Sequence, residues 1–296
     1  MITNIDVFNE TIKIINTNEC LNVETKKAIN NTVIYDEGFQ SIKQPDCQSN
    51  VRFEENLTLL AAEPMALNKK VAVLNFANPV EPGGGVLRGA NSQEEYLCRA
   101  SNLYPCLTST QAKPYYELHN NLLKQNNTPY FLSTDRIIYS TNITVIRKDV
   151  GFFVDRPDCR SIQRFSNNWY QIDVITCAAP YFYNNIPISE ALLKELLKKR
   201  IKNIFEVAIE NEIQVLILGA FGCGAFHNPP MLVATAFSDV LLESRYTNAF
   251  EEVIFAVKRT GFFCENIEAF EITFSVFPPT GEYVLSAERN KRRFFE

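Results

Sequence analysis

Apolar residues fall in short runs along this chain, and the polar residues gather between them. Val71–Phe76 (VAVLNF), Ile172–Cys177 (IDVITC), Ile213–Leu218 (IQVLIL) and Val253–Val257 (VIFAV) read as strands. They are β-branched and lack the in-out alternation of a half-exposed strand, so they predict a sheet covered on both faces. Ile137–Ile146 (IIYSTNITVI) predicts two strands or one bent strand, and Thr32–Tyr35 a weaker one. Helical periodicity alternates with these runs. From the N-cap Ser189 to about Glu210, Leu193, Leu197, Ile201, Ile204, Phe205 and Ala208 form one stripe, with the lysines elsewhere. Asn228-Pro229 reads as cap and first turn of a second helix. A third begins near Ser92, and a fourth covers about Leu57–Ala66.

Strands alternating with helices predict an α/β fold with a mostly parallel or mixed sheet between two helical layers. The 296 residues allow one large domain or two small ones. Residues 1–55, poorer in apolar runs, read as an N-terminal extension packed on a core at 56–262. Residues 263–296 read as a C-terminal tail, whose basic and aromatic ERNKRRFFE reads as a solvated terminal segment. A formal net charge of −5 argues against a broad basic face for duplex DNA but permits a local anion pocket. No run approaches the roughly 18 apolar residues of a membrane helix. The opening MITNIDVFNETIKIINTNE lacks the pattern of a signal peptide. Together these give a soluble protein, expected in the cytoplasm or nucleus, though export by a signal-less route would leave the same sequence. The eight cysteines contain no CxxC pair and read as mostly reduced. His119 and His227, the only histidines, have no partner at metal-ligand spacing, so neither a metal site nor a cofactor is expected.

Two glycine-rich loops follow strands. ANPVEPGGGVLRGANSQEE places Asn78 just beyond Phe76 and then Gly83, Gly84 and Gly85. GAFGCGAFHNPP places Gly219, Gly222 and Gly224 before a helix, with Cys223, Ala225 and Phe226 among them. Glycines let backbone N–H groups close on an anion, and a helix N-terminus favours one. Either loop could equally be a plain connection. Neither is a P-loop or a GxGxxG fingerprint, which argues against nucleotide triphosphate hydrolysis and hydride transfer. Gln93-Glu94-Glu95 supplies paired carboxylates. Ser92-x-x-Glu95 also fits a capping box, the favoured reading of those residues by themselves. Phe226 is the best placed ring to stack on a ligand. Two such loops at the strand ends of one sheet would line one crevice; Cys98, Cys177 and Cys223 would border it without a histidine partner, which disfavours them as nucleophiles. His227 reads as a polar residue at a helix start.

These features arrive in a specific order. PGGG at 82–85, seven residues and then QEE at 93–95 resembles the GGG-x(6–8)-QEE signature of poly(ADP-ribose) glycohydrolases. LNFANPVEPGGGVLRGANSQEEYLCRASNLYPCL (74–107), IYSTNITVIR (138–147), VITCAAP (174–180), LILGAFGCGAFHNPPMLVA (216–234) and FEEVIFAV (250–257) resemble successive blocks of the microbial-type family. The resemblance spans roughly 20–260. It implies a three-layer α/β/α macrodomain with a mixed central sheet and an N-terminal extension. It further implies a glycosidase that releases ADP-ribose from poly(ADP-ribose), mainly from the chain end, without a metal. Glu95 would be the general acid/base and Glu94 would hold the ribose hydroxyls, with Gln93 in support. Gly83, Gly84 and Gly85 would cradle the diphosphate and the ribose beside the scissile bond. Gly222, Gly224 and Phe226, with Cys223 and Ala225 in the same loop, would wrap the diphosphate and distal ribose, and Asn78 would contact that ribose. The family pattern departs at Ser92, where alanine is expected, and at Ala225, where a larger aliphatic is common. Two further readings use the same loops: a hydrolase of mono-ADP-ribosyl groups on protein or nucleic acid, and a non-catalytic ADP-ribose reader, which would not need both carboxylates.

Overall fold

The computed structural model describes residues 3–125, 133–148, 164–181 and 188–277, with the backbone alone for 164–168. Phe182, Tyr183, Cys159 and the ERNKRRFFE segment lie outside the described residues. Seven strands form one mixed sheet: β1 (Val33–Tyr35), β2 (Asn50–Glu54), β3 (Val71–Phe76), β4 (Ile137–Lys148), β5 (Arg164–Cys177), β6 (Val215–Leu218) and β7 (Glu252–Ala256). The order is β1-β4-β5-β3-β6-β7-β2. β1, β4 and β5 pair antiparallel, while β5, β3, β6, β7 and β2 run parallel.

Apolar runs became central strands because both faces of the sheet are covered. Ala72, Leu74, Leu216, Leu218, Val253 and Phe255 point to one core. It is completed by α7 (Glu190–Glu210), α8 (Pro230–Leu241) and α9 (Glu265–Phe274). Val71, Val73, Val215, Ile217 and Ile254 point to the other. That side carries α3 (Thr58–Ala66), α4 (Gln93–Ala100), α5 (Leu103–Leu107) and α6 (Lys113–Gln125). Each fully buried Val, Leu or Ile contributes about 1.5–3 kcal/mol relative to exposure, so the sheet centre is the main stabilising element. The fold is the expected three-layer α/β/α arrangement.

Three details differ from the sequence reading, while the 137–146 run is the single bent strand it allowed, with register shifts between Ser140 and Ile143 and between Val145 and Arg147. Asn142 takes a left-handed φ of 54°, and its N–H donates to Asp173 Oδ1 at 2.8 Å. Ser189 caps α7 as expected, but Asn228 does not cap α8, whose N-cap is Pro229. Instead the buried Asn228 amide donates to Pro180 O at 2.9 Å and Gly222 O at 3.1 Å, tying the second glycine loop to the end of β5. His227 accordingly precedes the helix in an exposed, left-handed turn with φ 56°. β2, invisible as an apolar run, adds at the parallel edge beside β7.

The first thirty residues form α1 (Asn4–Thr17) and α2 (Glu19–Asn30). Thr3 and Asp6 make a capping box for α1, and the Asn18 side chain caps α2. Thr11 sits in the buried stripe of α1 among Val7, Phe8 and Ile15, which breaks the apolar signal. It is satisfied twice over. Its hydroxyl donates to Arg99 O at 2.7 Å and accepts from Arg147 Nε at 2.7 Å. The buried Arg147 guanidinium also reaches Glu10 at 2.8 Å. α1 is thereby fastened to the C-terminal end of α4, the helix that carries the QEE motif.

Candidate functional site

Both glycine loops leave the C-terminal ends of parallel strands, the first from β3 and the second from β6. Open α/β sheets bind ligands in the crevice at those ends. α4 begins directly after the first loop, with Ser92 as its N-cap in extended conformation. The capping box is present, and its clear half is Glu95 Oε2 accepting from the Ser92 backbone N–H at 3.1 Å. Glu95 Oε1 accepts from Gly85 N–H at 2.8 Å. One carboxylate therefore closes both the helix end and the loop. Because this Ser92 contact runs through the backbone, it is available to the expected alanine too.

Gly84 lies against both acids. Its φ is +57°, and a Cβ there would stand 2.5 Å from Glu95 Oε1 and 3.0 Å from Glu94 Oε2. Gly83, at φ +72°, backs onto Tyr104 at 2.7 Å by the same construction. The loop's N–H groups are turned inward: Gly84 N–H donates to Glu81 O at 3.0 Å, and Gly85 N–H to Glu95. In this structure the first loop holds carboxylates, and its three glycines are buried, with no side chain between the backbone and Glu94, Glu95 and Tyr104.

Glu94 is 3% exposed. Its Oε2 accepts from Asn78 N–H at 2.7 Å, and Asn75 Nδ2 lies 3.4 Å from Oε1. Burial pushes its pKa up to about 8, and the Glu95 charge adds to the rise, against the opposing pull of the Asn78 N–H and Asn75. Below that pH, Glu94 is neutral and the adjacent pair does not carry two negative charges. Asn78 Oδ1 accepts from Val80 and Glu81 N–H at 2.9 and 3.0 Å, which shapes the start of the loop. Gln93 clamps α4 to β3: its amide donates to Leu74 O at 2.8 Å and accepts from Phe76 N–H at 2.9 Å.

A cavity of about 310 Å³, within the range of small-molecule sites, opens beside the first turn of α4. Gln93, Ser92, Phe76 and Tyr96 form one side, and Gly222, Gly224, Ala225 and Phe226 the other. Leu57, Thr58, Val257, Lys258, Thr260 and Asn266 complete it. Asn78, Cys223, the Gly83–Gly85 loop and the two carboxylates Glu94 and Glu95 stand outside this lining, which reaches α4 through Ser92, Gln93 and Tyr96. Gly222, at φ +73°, packs so tightly that a Cβ would fall 2.4 Å from Ala179 Cβ and from Asn228 Nδ2. Phe226 faces Tyr181 with ring centroids 4.9 Å apart. Phe76 and Phe221 meet at 5.9 Å.

Neighbouring groups are inert for physical reasons. Burial raises the Cys98 and Cys223 thiols and pushes Cys177 up to about 12, so thiolates are disfavoured at all three. His119 is buried and held at about 4. Its Nδ1 bonds Tyr115 O at 2.8 Å, and its Nε2 accepts from Thr134 N–H at 3.0 Å, a tether between α6 and the start of β4. Among the described residues no cluster of three His, Cys, Asp or Glu side chains could hold a metal ion. No helix among them is long and apolar enough to cross a membrane.

Sequence reasoning missed Asn75 and Thr176. Asn75 is fully buried, donates to Thr176 Oγ1 at 3.2 Å, and has no partner for its Oδ1. A polar residue inside VAVLNF, next to the strand's end, was the available signal. Asn56, Thr260 and Asn266, brought to the cavity from three different loops and helix starts, carried none.

The microbial-type PARG catalytic domain matches this chain over residues 7–148. No curated protein gives a significant match. Among solved structures, poly(ADP-ribose) glycohydrolase from Thermomonospora curvata bound to the inhibitor ADP-HPD is 27% identical. It superposes with a TM-score of 0.75, covering 92% of this chain and 99% of that one. The enzyme from Deinococcus radiodurans in complex with ADP-ribose is 30% identical, with a TM-score of 0.69 over 83% of this chain and 95% of that one. With the GGG and QEE elements meeting at one crevice of the same fold, the chain belongs to the microbial-type poly(ADP-ribose) glycohydrolase family.

Proposed function

We infer that this protein is a poly(ADP-ribose) glycohydrolase, a glycosidase that hydrolyses ribose–ribose O-glycosidic bonds and releases ADP-ribose. The observation that carries the reading is the carboxyl pair pressed against Gly84, on a helix whose neighbouring residues Ser92, Gln93 and Tyr96 line a ligand-sized cavity. The apolar cavity takes the adenosine half of the unit being released, with Phe226 and Gly222–Gly224 along the diphosphate and distal ribose. The reacting ribose lies over Gly83–Gly85, where the absence of side chains permits close approach.

Glu95 is the general acid/base. It protonates the leaving ribose oxygen as positive charge develops at the anomeric carbon, then takes a proton from the water that adds there. Its two N–H contacts, from Gly85 and Ser92, fix the carboxyl in place. Glu94 holds the ribose hydroxyls, and its elevated pKa lets it donate as well as accept near neutral pH. Asn78 and Gln93 set the loop and the helix that carry this pair. The binding partners are poly(ADP-ribose), free or on modified protein, and the product ADP-ribose.

The test is time-resolved ADP-ribose release from automodified poly(ADP-ribose) polymerase, with a panel of mono-modified proteins in parallel. Release from polymer that stops at the last protein-linked unit is expected. Glu95→Ala should lower turnover by about 10²–10⁴-fold while ADP-ribose binding persists. Release only from the mono-modified panel would replace this reading with a mono-ADP-ribosyl hydrolase. Binding without release from either would leave a reader. Normal turnover by Glu95→Ala would remove that residue from the chemistry.

A further inference from the structure

The segment between β7 and α9 turns twice at the mouth of the cavity. Lys258 and Thr260 line the cavity, the chain swings outward, and Asn266 lines it again. The outermost residues of that excursion are Phe262 and Phe263, 89% and 91% exposed, beyond a turn at Gly261 with φ +131°. They are the most exposed aromatic rings among the described residues, and they meet edge to face with centroids 5.1 Å apart. The base of the excursion is fixed. Val257 N–H donates to Glu54 O at 3.0 Å, and Arg259 forms a two-pronged pair with Glu55 at 2.7 and 2.6 Å. Two exposed rings a few residues along the chain from cavity-lining Lys258, Thr260 and Asn266 make a surface matched to flat bases.

We propose that Phe262 and Phe263 form a stacking platform for an adenine of the polymer outside the cavity, belonging to the unit joined through the adenosine ribose of the bound one. The inference rests on the poly(ADP-ribose) reading above. In the polymer, the 2′-oxygen of each adenosine ribose carries the next unit, so a chain continuing past the adenosine half leaves the cavity at this mouth. Its adenine then meets the rings. Stacking on an aromatic face tolerates any register, which suits a polymer of identical units. A bound unit with a further unit on this side is an internal one, so the platform adds cuts within the chain to the chain-end release that the resemblance implies.

The experiment uses the full chain and poly(ADP-ribose) fractionated by length. Binding is measured in the Glu95→Ala background, so that polymer is not consumed. Changing both rings to serine should weaken binding of long polymer by about tenfold or more, with free ADP-ribose affinity unaltered. Changing both to tyrosine should restore the wild-type value. In chains with Glu95 intact, short oligomers should appear early among the products and diminish in the serine variant. Equal polymer affinity with and without the rings overturns the proposal. So does an equal loss for free ADP-ribose, which would make the rings part of the cavity. A drop in thermal stability, or a change in oligomeric state, on serine substitution also overturns it, because the rings would then be covered by this chain or a second copy. Failure of the wild-type enzyme to release ADP-ribose, with length-dependent binding intact, would refute the glycohydrolase reading and leave the platform standing.

Discussion

Replacing Glu94 by glutamine isolates the free-energy cost of keeping an acid buried at the site. Burial lifts the Glu94 pKa from its ordinary 4.5 to about 8. A carboxyl with a folded-state pKa above its unfolded value binds more protons folded than unfolded between those two values. Stability therefore falls as pH rises from about 4.5 to about 8 and levels off above it. The rise corresponds to about 4–5 kcal/mol at its upper limit, and reorganisation of the pocket will reduce it. Glutamine does not titrate. Its carbonyl can accept from Asn78 N–H in place of Oε2, and its NH₂ can donate to Asn75 Oδ1, which now lacks a partner, once the Asn75 amide rotates. The variant should match wild type in stability near pH 5 and exceed it above pH 8 by about 2–4 kcal/mol, or about 5–10 °C in Tm. Thermal unfolding of both proteins between pH 5 and 9 is the assay. A Tm difference that does not change with pH would refute the reasoning, since the stability of wild type would then not depend on the ionisation of Glu94.

Other outcomes follow from the same geometry. Gly84→Ala places a methyl 2.5 Å from Glu95 Oε1 at a left-handed φ; displacing that carboxyl by about 1 Å should lower turnover by about 10²-fold, measured as ADP-ribose release. Gly222→Ala meets Ala179 and Asn228 at 2.4 Å and should destabilise the fold by about 2–4 kcal/mol, read from chemical denaturation. Ser92→Ala retains the backbone N–H that holds Glu95, so stability should fall by about 1 kcal/mol at most while turnover is kept; a large loss of turnover would show that the hydroxyl itself serves the reaction.

The central strands β3, β6 and β7, the helices α3, α4, α7 and α8, and the two glycine loops were legible in the chain alone. Their signals are local: a covered strand must be continuously apolar, a helix needs its stripe, and a loop crowded against carboxylates needs glycine. Ser92 and Glu95 were legible as a capping box for the same reason, since both partners lie within one turn. Whether that glutamate also faced a ligand was undecidable from spacing, because a cap and a catalytic acid look identical in the chain. Assembly of the fold adds the Gly85 N–H on one carboxyl oxygen and a cavity lined by the neighbouring Ser92 and Gln93, which supports the catalytic reading. Likewise Asn228 looked like a helix cap, and only the approach of Pro180 and Gly222 gave its amide another use. α1 was hidden because Thr11 interrupts its apolar face, and its partners Arg99 and Arg147 come from α4 and β4, 88 and 136 residues away. β2 and the Asn56, Thr260 and Asn266 wall of the cavity were illegible for a related reason. Edge pairing and cavity walls are made by segments that meet only when the sheet assembles, and no local pattern records that meeting.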